Sequence, residues 1–201
     1  MFPALSHGWE DLELLRKHWD GPIILKGIQT VEDAKKSVEL GVSSAPVFHI
    51  ELRLVSDIDD QIQGIVVSNH GGRQLNGALA TIDSLPEIAE AIGGKIPIHV
   101  DGGIRHGTDI FKALALGADF CWVGRPALWG LAYKGSKGVE LMLKILSDEV
   151  LLAMVLAGTV TTDEISKEYL AKVSVSVTSC SWTSANSTTA RSSWICFEAV
   201  V

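Results

Sequence analysis

Short apolar runs alternate with amphipathic stretches along most of this chain. Ile23-Ile24-Leu25, Gly64 to Val67, Ile96 to Val100 and Phe120 to Val123 are apolar and β-branched, and each ends in glycine or polar residues. That is the pattern of a buried strand opening into a loop. Each run is followed by a segment with apolar positions at helical spacing: Val31 to Leu40 closed by Gly41, Pro86 to Ile92 closed by Gly93-Gly94, Thr108 to Leu116 closed by Gly117, and Gly138 to Leu146. Glycine just past the last helical position supplies a left-handed cap, and Thr30 with Asp33 opens the first of these helices. Four such units with no hairpin signal between them predict a parallel sheet with right-handed crossovers. Ahead of the first unit, Ser6 is placed to cap a helix from Trp9 to His18, with Trp9, Leu12, Leu15 and Trp19 sharing one face.

Two stretches depart from this rhythm. Residues 43–63 separate the helix closed by Gly41 from the strand at Gly64, although the later helix end at Gly117 runs almost directly into its strand. Inside the segment Val47 to Val55 alternates like a half-buried strand, and Ser56 to Asp60 is acidic. A foreign insertion, such as translated non-coding sequence, is favoured over a lid or an edge arm because it interrupts a tight helix-to-strand turn. From Val173 onward serine and threonine dominate, and Trp182 and Trp194 fall without period. The expected organisation is one unit over 1–172, interrupted at about 43–63, and a disordered or aberrant tail over 173–201.

Composition narrows the class. The chain has 201 residues, 47% of them hydrophobic, with 19 glycines, which suits an α/β protein with a substantial core. A formal net charge of -7 argues against nucleic-acid binding through bulk electrostatics. Cys121, Cys180 and Cys196 are too irregular for a disulfide framework or a metal cluster. The amino terminus lacks the features of a signal peptide, and the apolar run Leu151 to Gly158 is too short to cross a bilayer. The expectation is a soluble protein without membrane association, in the cytoplasm, with peroxisome or mitochondrion as alternatives.

Chemistry collects at the carboxyl ends of the strands. Lys26, Arg73, Arg105 and Arg125 each follow one of the four runs, and four cations in register predict one electropositive mouth. A solvated or helix-capping charge is the bland reading of any one of them. Ser68-Asn69-His70-Gly71-Gly72-Arg73-Gln74 sets a histidine three residues before an arginine in a strand-end loop. That arrangement suits proton abstraction from a substrate whose carboxylate the arginine holds. Asp101-Gly102-Gly103-Ile104-Arg105 and Gly124-Arg125 combine glycine with arginine, so that backbone amides and a guanidinium can approach a phosphate together. Turn glycines without a ligand are the plain alternative. His99 lies inside a strand and reads as a core residue, whereas His7, His18, His49 and His106 belong to no constellation.

Taken together, Ile24-Leu25-Lys26-Gly27, Ser68 to Gln74, Asp101 to Gly107 and Val123-Gly124-Arg125-Pro126 resemble the FMN-dependent α-hydroxy acid dehydrogenase and oxidase family. The resemblance covers roughly residues 3 to 42 and 64 to 170, and its Trp9 to Ile28 region is most similar to lactate 2-monooxygenase-like members. It implies part of a TIM (β/α)8 barrel, strands five to eight with their helices, without the family's first four strands, its substrate-orienting tyrosines and the aspartate that orients the histidine. It implies FMN as cofactor, with Lys26 beside the flavin N1 and O2 edge, Ser68 as a flavin contact and Asp101 on the ribityl chain. Arg105, Gly124 and Arg125 would surround the phosphate, Gly102, Gly103 and Ile104 would be further cofactor contacts, His70 would be the base and Arg73 the carboxylate clamp. Asn76 stands where many members carry aspartate. The implied reaction is oxidation of a small 2-hydroxy acid such as lactate or glycolate, with oxygen or another electron acceptor, in a protein that is a homo-oligomer at full length. The alternatives are an inactive fragment that at most binds FMN or phosphate, and an IMP dehydrogenase-like barrel, whose loop cysteine Cys121 does not match.

Overall fold

The computed structural model describes residues 8–19, 21–41, 62–175 and 191–196. Strands β1 (Ile23–Ile28), β2 (Ile62–Val67), β3 (Ile98–Asp101) and β4 (Phe120–Trp122) form a parallel sheet in the order β1-β2-β3-β4. Helices α2 (Val31–Gly41), α3 (Thr81–Ile92) and α4 (Gly107–Ala115) connect or follow successive strands. Each strand therefore neighbours the next in sequence, as the first four-unit reading requires.

The sheet has two unlike faces. Ile65, Val67, Ile98 and Val100 point toward the helices and pack on Ala34, Leu85, Ile88, Ile92, Ala113 and Leu116, forming the main core. Burial of these side chains supplies most of the driving force for the unit. On the other face Ile24 (42%), Phe120 (37%) and Trp122 (47%) are exposed to solvent. In an eight-stranded barrel this second face is the interior, filled by layers of side chains from all around the ring.

Several boundaries differ from expectation for identifiable reasons. Helix α3 begins at Thr81, not at Pro86, because Thr81, Ser84, Leu85, Ile88 and Ile92 form one buried stripe that carries the helix through the proline. Strand β2 starts two residues before Gly64, with Ile62 paired to Ile23. Arg125-Pro126, just past the last apolar run, is the first turn of α5 (Arg125–Lys134), since proline fits the opening positions of a helix. A single helix α6 (Ser136–Ala157) takes in the Gly138 to Leu146 signal and continues eleven residues beyond it. Its Ala153 and Met154 pack on Phe111 and Ala115 of α4 in a second small core with Ile165.

At the amino end, α1 (Asp11–Arg16) is shorter than expected, and Leu15 and Trp19 are exposed, so the four-residue apolar face is not buried as a unit. Trp9 alone of that set packs against the main core with Leu25. Ser6 and the segment 43–61 lie outside the described residues. β5 (Leu170–Val175), which begins in the 1–172 unit and runs into the stretch expected to lack regular structure, pairs antiparallel with β6 (Arg191–Cys196). Val173 and Val175 alternate there with polar residues, a period that Ser/Thr-rich composition masks. No described helix is long and apolar enough to cross a membrane.

Candidate functional site

Cross-strand partners point to the same side of a sheet. The registers Lys26↔Val66, Val66↔His99, His99↔Phe120 and Asp101↔Trp122 therefore set Lys26, His99, Asp101, Phe120 and Trp122 on the open face. Lys26 ends its reach in a short polar cluster. Its Nζ donates to Asp101 Oδ2 at 2.6 Å and to Ser68 Oγ at 2.7 Å. Ser68 is itself buried at the end of β2, and its hydroxyl also accepts the His70 backbone N–H at 3.1 Å.

The loop after β2 is fixed by its backbone. His70 is the one described non-glycine residue with positive φ (57°), and Gly71 and Gly72 continue in the same left-handed region at 66° and 74°. Asn69 braces the turn, its Oδ1 accepting from the Gly72 amide at 3.0 Å and its Nδ2 donating to the Leu79 carbonyl at 3.1 Å. A bulky side chain held at positive φ is an uncommon and strained arrangement. Here the strain turns the exposed imidazole of His70 into the mouth of the sheet.

Two further loops close the circle. After β3, the Asp109 carboxylate accepts the backbone N–H groups of Arg105 and His106, both at 3.0 Å, which caps α4 and shapes the Gly102–Arg105 turn. The buried Ile104 anchors that turn in the core. After β4, α5 begins at once with Arg125, whose Nη2 donates to the Gly71 carbonyl at 3.3 Å and links this loop to that of His70. Arg105 lies over the Trp129 ring of α5, 6.0 Å from its centroid.

These loops surround a cleft of about 250 Å³. Lys26, His70, Arg73, Asp101, Gly102, Gly103, Ile104, Arg105, Gly124 and Arg125 all line it, and Ser68 stands immediately behind, bonded to Lys26. Four cations converge on one space in a chain of net charge -7. The cleft also contains an orphan acceptor: Asp101 Oδ1 is buried with no hydrogen-bond partner. Nothing lies within 4 Å of the place a Cβ would occupy at Gly103 or Gly124, so the backbone there faces open space. A polyhydroxylated, phosphate-bearing ligand suits this donor and acceptor set.

Trp122 and Trp129 line the same cleft and were not legible as site residues. Trp129 sits on a helix that the Arg-Pro signal concealed, and Trp122 on a three-residue strand too short to show which side faces the core. His99 is partnered, as a core reading requires, but on the open face: its Nδ1 accepts the Trp122 indole N–H at 3.0 Å. Burial lowers its pKa below the ordinary value of 6.5, with Asp119 opposing. Burial pushes the Cys121 thiol up to about 12, which removes it as a nucleophile at neutral pH.

A family model described as FMN-dependent dehydrogenase matches residues 3–47 and 55–172. The chain is 48% identical over 161 residues to an FMN-dependent alpha-hydroxy acid dehydrogenase of Schizosaccharomyces pombe, covering 80% of this chain and 35% of that protein. It is 49% identical over 156 residues to 2-hydroxyacid oxidase 1 of Mus musculus, covering 78% and 36%. Among solved structures, mandelate oxidase with 3,3-difluoro-2-hydroxy-3-phenylpropionic acid superposes with a TM-score of 0.67 at 43% identity, covering 80% of this chain and 43% of that one. The chain thus spans little more than a third of the length of these curated relatives, and its sheet corresponds to part of their barrel.

Proposed function

Because the chain belongs to the FMN-dependent dehydrogenase family, we propose that its cleft serves the oxidation of a small L-2-hydroxy acid, of the lactate or glycolate type, to the 2-oxo acid. The observation that carries this reading is the convergence of Lys26, His70, Arg73, Arg105 and Arg125 around the unpaired Asp101 Oδ1. FMN, when bound, supplies the two-electron acceptor that none of the side chains can provide, and oxygen or another acceptor returns it to the oxidised state.

The protein's own part is binding, orientation and proton handling. Arg105 and Arg125, with the open backbone at Gly103 and Gly124 and the amino end of α5, form the phosphate site. Asp101 Oδ1 takes a hydroxyl of the ribityl chain, while Oδ2 holds Lys26 in place. Lys26, held by Ser68 and Asp101, would supply the positive charge that stabilises negative charge on FMN when it is bound. Arg73 pairs with the substrate carboxylate in bidentate fashion. The imidazole of His70, exposed at the mouth of the cleft, then receives the proton that the substrate gives up.

A second reading rests on the exposed Ile24, Phe120 and Trp122 of the open face: the chain binds FMN or phosphate but does not turn over a hydroxy acid. One experiment separates the two. Purified chain is titrated with FMN and the flavin spectrum followed, then L-lactate or glycolate is added without oxygen. The proposed reaction bleaches the oxidised flavin band, and His70→Asn, which tolerates the left-handed backbone, binds FMN without bleaching. Binding without bleaching in the unaltered chain leaves the second reading, and absence of FMN binding removes the first and leaves of the second only its phosphate half.

A further inference from the structure

We propose that Trp122 is a further flavin-contacting residue, the aromatic wall of the cleft, and that His99 is the positioning residue that fixes its indole. This rests on the reading of the cleft as a flavin site. Trp122 is the register partner of Asp101, so the two stand side by side on the open face at the level where Lys26 and Ser68 meet. It lines the cleft together with Lys26, His70 and Arg73.

An indole left 47% exposed would ordinarily sample several rotamers, but this one is clamped on three counts. Its Nε1–H donates to His99 Nδ1 at 3.0 Å. Its ring lies nearly parallel to the imidazole, 5.8 Å between centroids at 26°. Phe120 meets it edge-on, 5.0 Å away at 60°. An indole nitrogen can only donate, so Nδ1 must be unprotonated and the His99 proton sits on Nε2. The neutral ring that burial favours is the one that can hold the tryptophan in this way.

Such a clamp leaves a flat apolar surface fixed in a cleft that Lys26, Arg73, Arg105 and Arg125 also line. A ligand with a planar ring and an anionic tail satisfies both at once, the ring against the indole and the tail on the arginines. Electron-rich indole in contact with an excited flavin quenches its emission by electron transfer. That gives the contact a signature that mere packing of the sheet does not share.

The test uses the full 201-residue chain, FMN as probe, and two readouts: dissociation constant and emission of the bound flavin. Trp122→Leu is expected to bind FMN roughly 3- to 10-fold more weakly, with the emission of the bound flavin raised. His99→Leu, which removes the acceptor, should move both readouts in the same direction, and His99→Gln, whose amide oxygen can accept the indole N–H, should return them toward the unaltered chain. Retained far-ultraviolet circular dichroism in each variant keeps the comparison on folded protein. Equal affinity and equal emission in Trp122→Leu and the unaltered chain would overturn the inference while leaving the flavin site standing, with Trp122 then a filler of the barrel interior. If the unaltered chain and both His99 variants fail to bind FMN at all, the underlying reading of the cleft falls and takes this inference with it.

Discussion

At the scale of single residues, the two histidines of the site differ in what surrounds them. His70 is exposed at a strained turn, whereas His99 is half-buried between Trp122 and Phe120. The lowered pKa of His99 has a direct consequence for stability. Below its ordinary value of 6.5 the unfolded chain takes up the proton before the folded one does. The folded state therefore holds fewer protons in that window, and stability rises with pH. The contribution is fully present above about 6.5 and is lost as pH falls through the unfolded value toward the lower folded one. Protonation also turns Nδ1 from acceptor to donor, which breaks the bond from Trp122. The expected outcome is a melting temperature that drops more steeply as pH falls below about 6.5 in the unaltered chain than in His99→Gln, which cannot titrate. Parallel pH profiles for the two proteins would show that the environment of His99 is not as described.

At the scale of elements, the crossing of α5 and α6 decides where Arg125 can sit. The two helices touch through Gly130 and Gly138, where a Cβ at Gly130 would stand 2.6 Å from the Gly138 carbonyl oxygen, and one at Gly138 would collide with the Gly130 carbonyl. Gly138→Ala is expected to destabilise the chain by about 1–3 kcal/mol, since backbone rather than a flexible side chain must move. Because α5 begins at Arg125, a tilt of α5 also displaces the guanidinium. FMN affinity should then fall more than riboflavin affinity, and thermal unfolding together with titrations of both flavins checks the two effects. The strand-loop-helix rhythm was legible because glycine caps and β-branched runs are local signals. The convergence of Lys26, His70, Arg73 and Arg125 was also foreseeable, because strands of a parallel sheet all end on one side. What stayed hidden depended on contacts distant in sequence: the stripe that carries α3 through Pro86, the α5 helix behind Arg125-Pro126, and the orientation of Trp122, which only pairing with Asp101 reveals. The exposure of Leu15 and Trp19 was missed for the same reason, since periodicity shows that a helix has an apolar face without showing what lies opposite it.

At the scale of the molecule, the sheet is solvated on one face and paired on one side only at its two outer strands. Among the described residues β1 pairs with β2 alone and β4 with β3 alone, while β2 and β3 have neighbours on both sides. Ile65 and Val67 in β2 and Ile98 and Val100 in β3 are almost fully buried, whereas Phe120 and Trp122 of the three-residue β4 are open to water. Local opening free energy follows buried apolar contact and paired backbone, so stability should be graded across the sheet rather than uniform. Amide hydrogen exchange on the 201-residue chain is expected to show strongest protection in β2 and β3, and exchange through lower-energy openings in β4. Filling the cleft ties β4 to its neighbours, because Trp122, Gly124 and Arg125 share that space with Lys26 and Asp101. Addition of FMN should therefore slow exchange in β4 and the start of α5 more than in β2. Equal protection across all four strands before FMN is added would mean that the outer edges are covered, and would require a second layer of chain on the face that carries Ile24, Phe120 and Trp122.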